Sequence, residues 1–131
     1  MPCPFLIDTD VASDDAVALL MALRAPQVRV VAITTVAGNV EVQQATRNAL
    51  YTAELCGAGV PVFTGAGKPL RRAHESATWF HGLDGLGDHG YPTPRQTAGK
   101  LHAVDAMIDA IAANPGIVVV TGGRSLILPW L

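Results

Sequence analysis

Apolar residues in this chain come as short runs alternating with longer periodic stretches. Phe5-Leu6-Ile7 is a compact apolar run ending at Asp8, which reads as a buried parallel strand. From Ser13 the pattern turns helical: Ser13 is placed as an N-cap, and Asp14 and Asp15 fall in the first turn, where they favour the helix dipole. Ala16, Leu19, Leu20 and Leu23 mark the apolar face, and Pro26 stops the helix. Val28–Val36 is β-branched and reads as a second strand, closed by the Gly38-Asn39 turn. Val42–Cys56 is a second helix ended by Gly57 and Gly59, and Val60-Pro61-Val62-Phe63 a short third strand. Leu101–Ala113 is helical, Asn114-Pro115-Gly116 ends it, and Ile117–Thr121 is a fourth strand.

Gly65–Gly99 breaks this rhythm. It is rich in Gly and Pro, holds His74, His81 and His89, and has few periodic apolar residues. It is expected to be a long loop with one short helix, and loops of that size in a compact domain are usually functional or mobile. The alternation elsewhere predicts βαβ units and an α/β fold on a parallel sheet. Such sheets bind ligands beyond the carboxyl ends of their strands. Asp8, Asp10, Asn39 and Thr121 all fall there.

Composition narrows the class. The 131 residues suit one domain, half of them are apolar, and the net charge is −2. No basic patch points to nucleic acid or an acidic membrane. Cys3 and Cys56 are too few for a disulfide framework and lack metal-ligand spacing, which fits reduced thiols in a cytoplasmic protein. No apolar stretch reaches membrane-spanning length, and the N-terminus carries no charged n-region of a signal peptide.

Against that low charge, Asp8, Asp10, Asp14 and Asp15 crowd one turn. Like charges so close raise one another's pKa unless a cation compensates. The donors are oxygens with no Cys or His nearby, so calcium or magnesium fits better than zinc. An EF-hand fails: with Asp8 first, Ser13 falls where Gly is needed and Leu19 where the bidentate Glu is needed. A magnesium-dependent Asp-x-Asp phosphatase is a rival, but that family continues Asp-Gly-Thr where this chain has Val11-Ala12-Ser13. The plain alternative is a helix start with solvated acids.

The turn also resembles a known signature. Asp8-Thr9-Asp10, then Asp14-Asp15-Ala16 and an apolar helix, is similar to the Asp-x-Asp-Pro-Gly-x-Asp-Asp-Ala motif of the inosine-uridine preferring nucleoside hydrolases. Ala32-Ile33-Thr34-Thr35-Val36-Ala37-Gly38-Asn39 looks like that family's second strand and Gly-Asn turn. Ala45-Thr46-Arg47-Asn48-Ala49 looks like its next helix, and Pro61–Ala66 with Lys68-Pro69-Leu70 like its third strand and following loop. His81-Gly82-Leu83-Asp84-Gly85-Leu86-Gly87 resembles its His-Gly-x-x-Gly loop.

The resemblance implies an open, mostly parallel Rossmann-like sheet with flanking helices, of which residues 1–131 form a single partial domain, the N-terminal part. It implies hydrolysis of the N-glycosidic bond of a ribonucleoside to ribose and free base. Asp10 would be the general base and a Ca²⁺ ligand, Asp15 the bidentate ligand, and Thr121 a ligand through its backbone carbonyl. Asp14 and Asn39 would bind the ribose hydroxyls, Asp8 would buttress the turn, and His81 would lie near the base. His74, His89 and His102 are read as surface residues. The implied partner is a small-molecule ribonucleoside, with no nucleic acid and no membrane; the family is usually homo-oligomeric.

Two departures stand out. Val11-Ala12 replaces the family's Pro-Gly, and the Cβ of Ala12 is expected to strain the turn. After Thr121-Gly122 the family continues with something like Pro-Leu-Ser-Asn-Leu-Ala-Leu-Ala, whereas this chain has Gly123 and then Arg124–Leu131. Codons can be chosen for those residues that spell the family's continuation when one base is added in front. The tail over about 124–131 is therefore expected to be off-frame, and the chain to be truncated and impaired as an enzyme. An inactive remnant with residual metal or ribose binding is the alternative. The fourth strand is expected to leave an open apolar edge.

Overall fold

A computed structural model describes residues 1–68 and 73–122. The tail over 124–131 and Pro69-Leu70 lie outside the described residues. The elements run β1 (Cys3–Thr9), α1 (Ser13–Arg24), β2 (Val28–Thr35), α2 (Val42–Leu55), β3 (Val62–Thr64), α3 (Thr78–His81), α4 (Ala103–Ala113) and β4 (Val118–Thr121). All strand pairs are parallel, in the order β3-β2-β1-β4, giving the expected α/β architecture.

Two cores cover the two faces of the sheet. Ile7 and Ile33 point to α1 and α2, where they meet Val11, Leu19, Ala49, Leu50 and Val62. Leu6 and Ala32 point the other way, to Ala103, Met107 and Ala110 of α4. The two-residue period of a strand thus sorts β1: Thr9 shares the α1 side with Ile7, and Asp8 shares the α4 side with Leu6. Above the first core, Thr35 Oγ1 and Thr46 Oγ1 lie 2.8 Å apart, Thr46 Oγ1 and Thr64 Oγ1 3.0 Å apart, and Thr46 also donates to Val42 O. These bonds satisfy the hydroxyls and pin α2 to β2 and β3.

The element ends differ from the pattern for local reasons. Ser13 is the first helical residue of α1 and not its cap; Ala12 holds that place, and the Ser13 hydroxyl is engaged by His81 instead. β3 begins at Val62 and reaches Thr64, because Pro61 has no N–H for the ladder and contributes only its carbonyl, to Ile33 N. α4 begins at Ala103 because the His102 imidazole accepts from Val104 N and caps it. α2 stops at Leu55, with Gly57 at φ +62. Gly57 N then bonds Glu54 O and Ala58 N bonds Ala53 O, both at 2.9 Å, a Schellman closure that favours glycine.

The stretch between β3 and α4 holds one helical turn, as expected, and is tied to the body. Its far half is held by Gly99 N on Val62 O, Gln96 Nε2 on Val60 O and Arg95 N on Glu54 Oε1.

Among the described residues β4 pairs only with β1, and Val118 and Val120 are 40% and 38% exposed. Such an edge templates association between chains. Val118→Lys is expected to lower concentration-dependent light scattering, while thermal unfolding moves by no more than about 0.5 kcal/mol, as for a surface substitution.

Candidate active site

The carboxyl ends of β1, β2 and β4 meet the first turn of α1. Thr9, the last residue of β1, donates from Oγ1 to Asp15 Oδ2 at 2.6 Å, and the same oxygen accepts from Val11 N at 3.2 Å. One hydroxyl therefore fixes both the turn and the helix carboxylate. On the other face Asp8 Oδ1 accepts from Thr34 Oγ1 at 2.7 Å, and Asp8 O accepts from Gly122 N at 2.8 Å. Thr121 is in register with Asp8, so β4 carries the Thr121-Gly122 backbone alongside the turn. A Cβ on Gly122 would stand 3.1 Å from both Asp15 oxygens. The space beside Asp15 is kept clear of side chain.

Asp10 is reached from β2. Asn39 N donates to Asp10 Oδ2 at 2.9 Å. That approach requires glycine at 38, where a Cβ would lie 2.7 Å from Asp10 Cβ and Cγ and collide with Oδ2. The turn is clamped from outside: His74 Nε2 lies 2.8 Å from Gly38 O, and Ala77 N donates to Asn39 O at 2.7 Å. His74 is thus more than a solvated surface residue. It is half-buried, and since a carbonyl only accepts, its Nε2 carries the proton. Asn48 is a second residue that the sequence pattern did not single out. It is 3% exposed on α2 and donates to Val11 O and Asp84 O.

Val11 and Ala12 prove unstrained. Both are fully buried, Val11 fills the core beneath the turn, and Ala12 has φ −105 and ψ −167, extended backbone open to any residue. The expected strain at Ala12 is absent because this backbone keeps clear of the left-handed region that would demand glycine.

Asp10 and Asp15 are buried, at 6% and 8% exposure. Burial, a facing Asp10 carboxylate within hydrogen-bonding reach and the charge of Asp14 push Asp15 up to about 7, against the lowering donated by Thr9. Asp10 Oδ1 is buried with no hydrogen-bond partner. Two buried carboxylates facing each other need either a shared proton or a cation. Among the described residues no group of three or more His, Cys, Asp or Glu side chains is placed to hold a metal. The set that is brought together is two carboxylates and the Thr121-Gly122 backbone. Its all-oxygen chemistry, the orphaned Asp10 Oδ1 and the clearance at Gly122 fit a hard cation that takes its remaining oxygens from elsewhere.

Asp14 is exposed in the first turn of α1. Asn39 is half-buried at the rim beside Asp10. His81 ends α3 and is held over the start of α1, its Nδ1 2.8 Å from Ser13 Oγ. All the residues singled out in the sequence therefore gather at one end of the sheet.

Comparison with known proteins gives this constellation a family. Residues 5–125 match the profile of the inosine-uridine preferring nucleoside hydrolases. The chain belongs to that family. It is 40% identical over 130 residues to the inosine-uridine preferring nucleoside hydrolase of Leishmania major, covering 94% of this chain and 41% of that protein. A plant nucleoside hydrolase superposes with a TM-score of 0.87 at 35% identity, over 94% of this chain and 40% of that one. A purine-preferring ribonucleoside hydrolase from Gardnerella vaginalis gives 0.85 at 31% identity, over 90% and 39%. The chain thus spans about two fifths of the length of these relatives. The turn closes here over the buried Val11-Ala12 pair, without the Pro-Gly that the resemblance led one to expect.

A raised Asp15 has a defined consequence for the metal-free chain. Its protonated form is favoured on folding, so the contribution of this one group to stability is fully present below the ordinary carboxylate value of 3.8 and is lost as pH rises towards about 7. Asp15→Asn is expected to remove that loss and to raise the melting temperature at pH ~8 without metal, measured by calorimetry across pH. Gly38→Ala is expected to displace the Asp10 carboxylate and cost about 1–3 kcal/mol of stability by overpacking, measured by urea unfolding.

Proposed function

We propose that this chain carries part of the machinery for N-glycosidic hydrolysis of ribonucleosides to ribose and free base, with Asp10 as general base and with weaker activity than its longer relatives. The observation that supports this most is the buried Asp10 carboxylate, pinned by Asn39 N through Oδ2 and left with no hydrogen-bond donor at Oδ1. Family membership supports the reaction class. The names of relatives that act on inosine and uridine, or prefer purine ribonucleosides, support a ribonucleoside substrate.

Asp10 would accept a proton from the water that attacks the anomeric carbon. The bond to the base nitrogen breaks as the new C–O bond forms, through an oxocarbenium-like ribosyl centre, and the base leaves with its electron pair and is then protonated. Asp14 and Asn39, at the rim, would take the ribose hydroxyls and hold the sugar against the water. His81, held over α1 by Ser13, would lie on the base side, and Asp8 would stiffen β1 beneath the turn. Calcium would be held by Asp10, Asp15 and the Thr121 carbonyl, and when bound would lower the pKa of water and grip a vicinal diol. No helix among the described residues is long and apolar enough to cross a membrane. A cytoplasmic setting, suggested by the reduced thiols, and assembly as a homo-oligomer belong to this proposal.

Ribose release from inosine and uridine, assayed with and without calcium, tests the reading. Asp10→Asn is expected to lower kcat about 10²–10⁴-fold while leaving the fold intact by circular dichroism, as loss of a general base does. Calcium-independent release that is equal in the wild-type chain and in Asp10→Asn overturns it.

A further inference from the structure

We propose that Asn48 is a positioning residue: a single buried amide that ties the aspartate turn to the loop carrying His81, so that a change at one is felt at the other. An amide on the buried face of a helix is an odd choice among Ala45, Ala49 and Ala53, because it must be fully satisfied to be tolerated. It is satisfied, and by two separate segments. Nδ2 donates to Val11 O at 2.9 Å and to Asp84 O at 2.8 Å, while Oδ1 accepts from Gln44 Nε2 at 2.9 Å. Both amide hydrogens and the acceptor are in use. Val11 directly follows Asp10, and Asp84 lies in the His81–Gly87 loop.

The grip on Asp84 reaches further than one residue, since the loop is internally braced. Asp84 Oδ1 accepts from Leu86 N and Asp88 N, Asp88 accepts from Leu83 N and Asp84 N, and Gly87 N bonds His81 O. A loop so closed moves as one piece with His81 at its root. Its seat on Asn48 is tight: Gly85 has φ +78, and a Cβ there would stand 2.8 Å from Val40 Cγ1 and 3.3 Å from Asn48 Nδ2. An apolar side chain at 48 would fill the space but leave two carbonyls without donors and uncouple the segments.

The inference rests on the proposed calcium site only for the ligand that would use the coupling. Its test is amide hydrogen exchange at Leu86 and Asp88 in the whole chain, titrated with calcium. In the wild type, calcium is expected to slow exchange at these amides about fivefold. In Asn48→Leu, calcium is expected to bind, seen by calorimetry, with no change at the loop; an equal response in both chains overturns the proposal. If calcium does not bind the wild type, the metal reading fails and the coupling is read from Asp15→Asn instead. That change is expected to alter loop exchange in the wild-type background and not with Asn48→Leu, and equal effects overturn it. Should Asn48→Leu not fold, Gly85→Ala, which crowds the Asn48 amide from the loop side while every residue of α2 is kept, is compared in the same way.

Discussion

The arrangement depends on two carboxylates kept out of water and facing each other. Left alone, Asp10 and Asp15 would separate or share a proton; burial first, and then the facing Asp10, raise Asp15. The surrounding structure prevents separation. β1 fixes Asp10 through the strand end, Thr9 holds Asp15 by its hydroxyl, and Asn39 N holds Asp10 from the turn that follows β2. The positions closest to the pair, Gly38 and Gly122, have no side chain. Two buried acids side by side, with glycine at the two flanking positions, make a local environment that positive charge would relieve.

Packing and hydrogen bonds explain how the turn holds its shape with Val11-Ala12. What matters at positions 11 and 12 is that the chain leaves β1, turns, and enters α1 with the carboxylates aligned. Val11 secures this by burying its side chain in the core with Leu19 and Ile33, and its backbone is held twice, by Thr9 Oγ1 at N and Asn48 Nδ2 at O. Rigidity that a proline would supply covalently is supplied by packing and hydrogen bonds.

Much of this was legible in the residues. β1, β2, α1 and α2 follow directly from apolar runs and periodicity, because their burial pattern is local. The carboxylate turn announced itself through density of charge in a chain otherwise poor in it. What escaped the pattern is contact between distant segments. His74 bonds a carbonyl 36 residues away, and Asn48 a carbonyl 37 residues away. Backbone carbonyls are present at every residue, so such bonds leave no compositional trace. For Asn48 a signal did exist: a polar residue at a buried position of an amphipathic helix demands partners. His74, in an aperiodic stretch, offered none. The starts of α1 and α4 were misjudged by one or two residues for a related reason, since a serine or histidine caps a helix only when no better partner competes, and His81 competes for Ser13.

The sheet divides its labour between its faces. The α4 side supplies stiffness: Leu6, Ala32 and Met107 pack without polar atoms, and Asp8 with Thr34 locks β1 to β2 at the edge of that layer. The α1 side supplies charge, because residues of the opposite strand parity, Thr9 and beyond it the turn, face α1 and the first-turn acid Asp15. Alternation along a strand makes this separation automatic, and a shift of one residue in β1 would exchange the two roles. The parallel register of Asp8 with Thr34 and Thr121 then decides which neighbouring backbones reach the acids: the Gly38-Asn39 turn on one flank and Thr121-Gly122 on the other. The site is thus a consequence of strand register, and its chemistry of which side chains that register leaves without water.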